Sequence, residues 1–538
     1  MSGWLQHLPV LPVLLPFLAA VPLLLSDATR RGPRAAIAVV ATLAQLVVAI
    51  VLLGMADGRL APVWAGEVGV YALGNWSAPF GIVLVVDRLA AIMLTLTAAL
   101  ALATLVYSLA RWERAGSHYL PLFQFLLMGL NGAFLTGDLF NLFVFFEVLL
   151  AASYGLMLHG SGAVRVKAGM HYIAVNLVAS LIFLVAAALI YGVTGTLNMA
   201  ELAQRVAQLD AHERTMFDLG AALLGVVFLV KAAAWPLNFW LPGAYGSAAP
   251  PVAGVFAILT KVGVYALLRL ATLLEDVGAP APFDGYWLFY CGLATVAGGS
   301  IGVLAAQRLT RVAGFLVIVS SGTLLAAFGF TGTTLTGPAL YYLVSSVLAS
   351  GAFFMVIEMA ERGRTASADL LAVSLEAFGL QDKDISEHPD EMAGVAIPAA
   401  MAFLGLAFFS CVLLLTGLPP FSGFVGKFAM LGAAIAAPPQ APLLHAGLFS
   451  AALLLSGLAG MIALSRLGIR VFWDTERPTP RLQWIEAGPV GVLVMLCMAL
   501  AIGAGPAMSY FNAAARSLHE GQPYVGAVLP ASAAGGRE

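Results

Sequence analysis

The sequence predicts an all-α polytopic membrane protein of about fourteen transmembrane helices. Three observations predict it. Of the 538 residues, 61% are hydrophobic and only 10% are charged, where soluble domains carry roughly 25% charged residues. The apolar residues gather in runs close to the ~20 that a helix needs to cross a hydrocarbon core. Basic residues crowd into every second connection between runs, the bias that sets orientation in a bilayer.

In order, the runs are 5–25, 36–55, 82–110, 119–136, 138–158, 168–193, 217–240, 251–274, 286–306, 310–330, 336–360, 394–416 continuing broken to 434, 442–471 and 484–504. The first lacks a basic leader and holds Pro9, Pro12, Pro16 and Pro22, so a retained span is expected there and not a cleaved signal peptide. Arg30, Arg31 and Arg34 follow span 1, Arg111 and Arg114 span 3, Arg165 and Lys167 span 5. Arg308 and Arg311 follow span 9, Arg362, Arg364 and Lys383 span 11, and Arg466, Arg470, Arg477 and Arg481 span 13. These are sixteen of the 26 basic residues; seven, among them Arg88, Arg269 and Arg516, fall to the other side. The odd connections are therefore expected in the cytoplasm and both termini outside, in a bacterial inner membrane. Met199–Asp210 is expected as an amphipathic stretch along the outer surface, and the Ala-, Gly- and Pro-rich tail after Gly505 as weakly ordered. The acidic stretch Leu375–Met392 is either a solvated connection or a docking site for a partner subunit.

Composition also excludes functions. No basic run points to nucleic acid. Cys291, Cys411 and Cys497 lie far apart in apolar runs and form neither a disulfide framework nor a metal set. There is no phosphate-binding glycine loop and no haem attachment motif, so no cofactor is expected.

The charges inside the runs carry the chemistry. The chain has five lysines, and three of them, Lys231, Lys261 and Lys427, sit within spans. Each costs on the order of 2.5–3.5 kcal/mol to insert, which marks a functional site with a partner or a wet cavity. Snorkelling is the alternative, and it needs a position near a helix end. Glu147, in "DLFNLFVFFEVLLAASYGLM", supplies a carboxylate inside span 5. An isolated buried ammonium or carboxylate is driven to its neutral form, whereas a pair sustains both charges. Glu147 with Lys231 is thus the expected ion pair. Asp138, near the surface, reads as a helix cap before a proton carrier.

Two spans interrupt themselves beside these lysines. Pro236 follows Lys231, and Gly417, Pro419 and Pro420 precede Lys427. Proline removes a backbone donor and disrupts a turn. Inside a membrane this is tolerated where the freed backbone lines a cavity or finds partners. Matching interruptions in two halves point to an inverted-repeat transporter with its ion path beside the breaks.

Three stretches, "DLFNLFVFFEVLLAASYGLM", "LVKAAAWPLNFWLPGAYGSAAPPVAGVFAILTKVGVYALLR" and "LLLTGLPPFSGFVGKFAML", closely resemble the D subunit of Mrp-type monovalent cation/proton antiporters. The same core resembles the antiporter-like subunits of respiratory NADH:quinone oxidoreductase. The resemblance covers roughly spans 3–14. It implies two inverted five-helix repeats, spans 4–8 (119–274) and 9–13 (286–471, with a polar loop at 362–393), between three leading helices (1–118) and a last helix with its tail (484–538). It implies that Glu147, Lys231, Lys261 and Lys427 match the family's proton-transfer residues, and that the chain works within a hetero-oligomer. Tyr245 stands where many quinone-reductase relatives have histidine, which favours the Mrp type. Spans 10 and 11 depart from the family: where a histidine or lysine is usual, Ser320, Ser321, Thr323, Tyr341, Tyr342, Ser345 and Ser346 offer only hydroxyls. These either hold water for a proton path, as Tyr245 could, or simply pack helices.

The expected function is therefore a subunit of a multi-subunit Na+ or K+/proton antiporter, with protons passing Glu147, Lys231, Lys261 and Lys427 to drive cation efflux. A proton-pumping membrane subunit of an NADH:quinone oxidoreductase or membrane-bound hydrogenase is the alternative. A membrane scaffold whose charges only join helices is the third.

Overall fold

The computed structural model describes residues 5–529 except 28, 61–63, 65, 66, 277–284, 331–333, 379–398, 437–442 and 473–481, with side chains left aside for 363–378. The acidic stretch Leu375–Met392 lies outside the described residues. The elements follow the apolar runs. Helices α1 (Leu11–Leu25) and α2 (Arg31–Ala56) lead into a small antiparallel hairpin, β1 (Gly69–Ala72) and β2 (Val83–Val86), paired Gly69 with Val86. Then come α3 (Arg88–Ser108), α4 (Tyr119–Leu135), α5 (Leu139–Met157), α6 (Ala163–Thr194), α7 (Met199–Val206) and α8 (Ala211–Lys231). Two short pieces, α9 (Leu241–Ser247) and α10 (Pro250–Phe256), precede α11 (Leu259–Asp276). The second half holds α12 (Tyr286–Ala305), α13 (Leu309–Phe328), α14 (Thr336–Phe378), α15 (Ala399–Thr416), α16 (Ser422–Ile435) and α17 (Leu443–Phe472). α18 (Trp484–Ile502), α19 (Ala504–His519) and α20 (Gln522–Val528) finish it. Among the described residues, twelve helices are long and apolar enough to cross a membrane, and α4 and α16 are shorter apolar helices.

The helices do not contribute equally to the core. α10, α11, α13 and the Thr336–Arg362 part of α14 are almost wholly enclosed, while α1, α2, α6, α12 and α17 turn long apolar faces outward. α9 packs on α13 and α10 on α14, so the broken pieces of the first half join the two halves.

Three expectations need correction. Span 8 is not continuous: its backbone tightens at Ala257 and Ile258 into bonds that reach back three residues, one turn before Lys261. The tail after Gly505 is helical over Ala504–His519 and Gln522–Val528. α19 buries Phe511, Ala514, Ala515 and Leu518 on one stripe, and α20 buries Tyr524, Val525 and Val528. Small-residue composition hid an amphipathic period. Arg269, counted from the sequence with the outer-side charges, is buried in α11. The stretch after Thr196 does form a helix, α7, which lays Met199, Leu202, Ala203 and Val206 inward. Asp138 is indeed a cap, accepting from Asn141 N at 2.8 Å.

The bundle has two unlike ends. At one lie the hairpin, the first turn of the chain, α7 and α20, all packed together. The other end is rich in arginine. There Arg34 donates to the carbonyls of Leu23 and Ser117, capping the end of α1. Trp112 is the hub of this end. Its indole N–H donates to Glu358 at 3.0 Å, its carbonyl bonds His159 at 2.7 Å, and Arg165 lies 5.7 Å from its ring. Glu358 also accepts from Tyr107 and Arg362, and Arg362 reaches Glu486 at 2.9 Å.

His159 is mostly buried, and burial pushes its imidazole below the ordinary value of 6.5, against the pull of the Trp112 carbonyl. A histidine whose folded value is depressed adds stability above its ordinary value and loses it as pH falls. The thermal midpoint of the purified protein is therefore expected to drop as pH is lowered through 6.5. His159→Gln should flatten part of that drop, and an identical slope in the variant would refute the assignment.

Candidate functional site

Each of the three intramembrane lysines is buried, with 6%, 1% and 6% of Lys231, Lys261 and Lys427 exposed. An ammonium held out of water needs a partner, and each lysine has a different one.

Lys231 is the last residue of α8. A cation there favours the negative end of the helix dipole. Its Nζ lies 5.2 Å from the centre of the Phe146 ring and has no hydrogen-bond partner among the described residues. The expected ion pair with Glu147 is not closed. No contact within ion-pair distance joins the two, and Glu147 Oε1 is likewise buried without a partner. The carboxylate remains within electrostatic reach of the ammonium, with Phe146 beside them both. Lys231 also lines a cavity of about 10 Å³ with Tyr172, Asn176, Trp240 and Tyr245. That is room for one water. Tyr245 is held by its own hydroxyl, which donates to Phe256 O at 2.9 Å.

Lys261 sits one turn into α11 and donates to Ser321 Oγ of α13 at 3.0 Å. Next to it, Ser320 donates to Ser346 of α14 at 2.9 Å. Ser345, adjacent again, shares a 2.8 Å bond with Ser422 at the start of α16. Lys427 lies on that same helix and donates to Thr416 O at 2.9 Å. Of the four serines named from the sequence, Ser320 and Ser346 thus bond each other, Ser321 bonds Lys261 and Ser345 bonds Ser422 on the helix of Lys427. Ser422 was missed, because a lone serine in an apolar run gives no local signal.

The two breaks share one geometry. α8 ends with Ala233 at φ +54° and a bond from Ala234 N to Leu229 O; α15 ends with Gly417 at φ +80° and a bond from Leu418 N to Leu413 O. Both are left-handed C-terminal caps with the six-to-one bond. Pro236 and Pro420 each follow three residues after the left-handed residue, both with cis peptide bonds. The freed backbone finds partners: Trp235 N donates to Thr295 of α12 at 2.9 Å, and Thr416 O receives Lys427. The lysines differ in register. Lys231 precedes its break, and Lys427 follows its own. The Lys427 side chain lies over Gly417, where an added Cβ would collide with Lys427 Cδ. Beside Lys427 a groove of about 250 Å³ opens between Phe424, Phe428, Leu454 and Leu458.

A long polytopic bundle with paired broken helices and buried lysines beside each break defines the class: a membrane protein of the antiporter-like type. Residues 136–456 match the family model described as NADH:quinone oxidoreductase/Mrp antiporter, TM. A Rhizobium meliloti protein, named as the D subunit of a probable K+/H+ antiporter, is 53% identical across 99% of this chain and its own full length. The D subunit of the Na+/H+ antiporter of Bacillus subtilis is 32% identical over 98% of this chain and all of its own. Among solved structures, a chain of the Mrp complex from a Dietzia species superposes with a TM-score of 0.81 at 26% identity, covering 98% of this chain and 100% of that one. A chain of respiratory complex I from Thermus thermophilus shares the fold, with a TM-score of 0.73 at 21% identity, covering 95% of this chain and 99% of that one. The chain belongs to the Mrp antiporter family, as a D subunit.

At Gly417 any side chain meets both a left-handed backbone and Lys427. Gly417→Ala is expected to cost about 1–2 kcal/mol from the backbone alone. Ala233→Gly removes a left-handed alanine and should leave the thermal midpoint unchanged or slightly raised. Unfolding followed in detergent checks both, and equal losses in the two variants would contradict the cap geometry.

Proposed function

We propose that this chain is the proton-conducting subunit of a monovalent cation/proton antiporter complex in a bacterial inner membrane. The arginine-rich end faces the cytoplasm and the hairpin end faces outward. Protons pass Glu147, Lys231 and Lys261, cross the hydroxyls of Ser321, Ser320, Ser346, Ser345 and Ser422, and reach Lys427, driving Na+ or K+ the other way. The relative named for K+/H+ exchange, at 53% identity, favours K+. Residues 119–274 and 286–471 act as inverted repeats, each hinged at its break.

One observation carries it: the bond from Lys261 to Ser321 is the first of three separate side-chain bonds between the halves, with Ser320–Ser346 and Ser345–Ser422 the others, where the sequence places no lysine or histidine. Hydroxyls donate and accept at once, so a chain of them and water can pass a proton without holding it. The unclosed Glu147–Lys231 pair supports a switch in which the two groups approach and part. An ammonium 5.2 Å from a ring centre, with an unbonded carboxylate near, gains on approach to it and loses proton affinity on withdrawal. The mouth of Lys427 opens at the bundle surface, where Phe428 and Leu454 are exposed, so neighbouring proteins of the complex bear on that exit.

The test is Na+- and K+-driven proton movement in vesicles holding the whole complex. Lys231→Ala is expected to abolish exchange while the complex stays assembled; full exchange would reduce Lys231 to a structural residue. Ser320→Ala with Ser346→Ala removes one link and should slow exchange about tenfold, equivalent to about 1.4 kcal/mol on the barrier. Unchanged exchange in the serine variant would remove the hydroxyl route.

A further inference from the structure

Arg269 is a further cation inside the bundle, and the relay does not use it. It lies on α11 at the spacing Lys261, Tyr265, Arg269, four residues apart each, which sets all three on one face of the helix. Arg269 is thus about 12 Å from Lys261 along the axis, toward the hairpin end. Its guanidinium holds Asp87 in both fork positions, at 2.5 and 2.7 Å, and both residues are about 95% buried. Asp87 is fixed in turn by capping α3 through Ala90 N. Tyr265 and Tyr524 stand over the guanidinium, with ring centres 5.5 and 5.1 Å from its carbon. Tyr265 is anchored by its hydroxyl to Phe134 O at 2.7 Å, at the end of α4. Four elements therefore meet at one buried plug: α3, α4, α11 and α20.

We propose that the Asp87–Arg269 pair, closed by Tyr265 and Tyr524, is an ion seal that shuts the Lys261 site off from the hairpin end of the bundle. The inference rests on the proton-relay reading and extends it. A relay needs insulation as much as conduction: a proton on Lys261 that could reach the hairpin end directly would bypass the second half and collapse the gradient without moving a cation. The chemistry of the plug suits that task. A guanidinium stays protonated at every relevant pH, so it cannot act as the next carrier. It is the guanidinium that touches Tyr265, the next rung toward Lys261, at 3.4 Å. The bidentate carboxylate compensates its charge and locks its plane, so the seal holds without water. The C-terminal helix α20 acquires a role in this arrangement, since Tyr524 is the ring that covers the pair from the hairpin side.

The test measures leak, not exchange. The whole complex is reconstituted in vesicles, and the decay of an imposed pH gradient is followed in choline buffer with neither Na+ nor K+. Tyr524→Ala uncovers the guanidinium while leaving every charge in place. Asp87→Asn with Arg269→Gln removes the charges together, so that no unpaired ion is left buried. Both are expected to hasten the decay about tenfold, equivalent to about 1.4 kcal/mol on the barrier. Adding Lys261→Ala to either should return the leak to the wild-type rate. Wild-type decay in assembled Tyr524→Ala complexes overturns the seal, and so does a leak that persists without Lys261. Should the double variant not assemble, the tyrosine variant decides alone. Failure of the relay itself reads differently, as unimpaired cation-driven exchange in Lys231→Ala.

Discussion

An ammonium inside an apolar bundle has to be given something to hold, and much of this fold follows from what each lysine is given. Lys427 holds a backbone carbonyl, and that carbonyl is free only because α15 stops at Thr416. A helix terminus leaves its last carbonyls without partners in the helix, so the break provides the acceptor that the charge requires. Gly417 follows from the same need, since the lysine stem occupies the space a side chain would take. Lys261 holds a serine on the other half of the bundle, which ties the two halves at their centre. Lys231 holds least: an aromatic face, a water-sized cavity and the field of a nearby carboxylate. The least satisfied charge is the one with most to gain from a small movement.

The ends of the bundle complement this interior. Near the arginine-rich end, polar groups form a connected surface network around Trp112, Glu358 and Arg362. Near the hairpin end, the buried pair of Asp87 and Arg269 is sheathed in tyrosine. The first is part-exposed and shared among several donors; the second is buried and bidentate.

What could be read from sequence was whatever has a local cost. A lysine or a proline in an apolar run is conspicuous because the membrane penalises it, so Lys231, Lys261, Lys427 and both breaks stood out. Asp138 was legible as a cap for the same local reason. Pairings across long separations were not. Asp87 and Arg269 lie 182 residues apart, and Arg269, near the end of its run, was counted only with the outer-side charges. Its spacing from Lys261 and Tyr265 was the one available signal. The serine contacts were visible as hydroxyls but not as pairs, because packing alone decides which helices face each other. The unclosed Glu147–Lys231 pair was beyond sequence reasoning, which can say that two charges suit one another but not how far apart the backbone keeps them. Composition misled at the tail, where alanine-rich sequence concealed the buried stripe of Phe511, Ala514 and Leu518.

The two helix breaks share their caps and their prolines, yet the lysines sit on opposite limbs, Lys231 before its break and Lys427 after. Identical hinges thus carry their charges on different levers. A swing of the downstream limb leaves Lys231 at the pivot, as a fixed post toward which other groups must travel, while Lys427 rides the arm itself. The same joint occurs twice, and if it hinges as proposed, the placement of a single residue across it would make one copy a stator and the other a rotor.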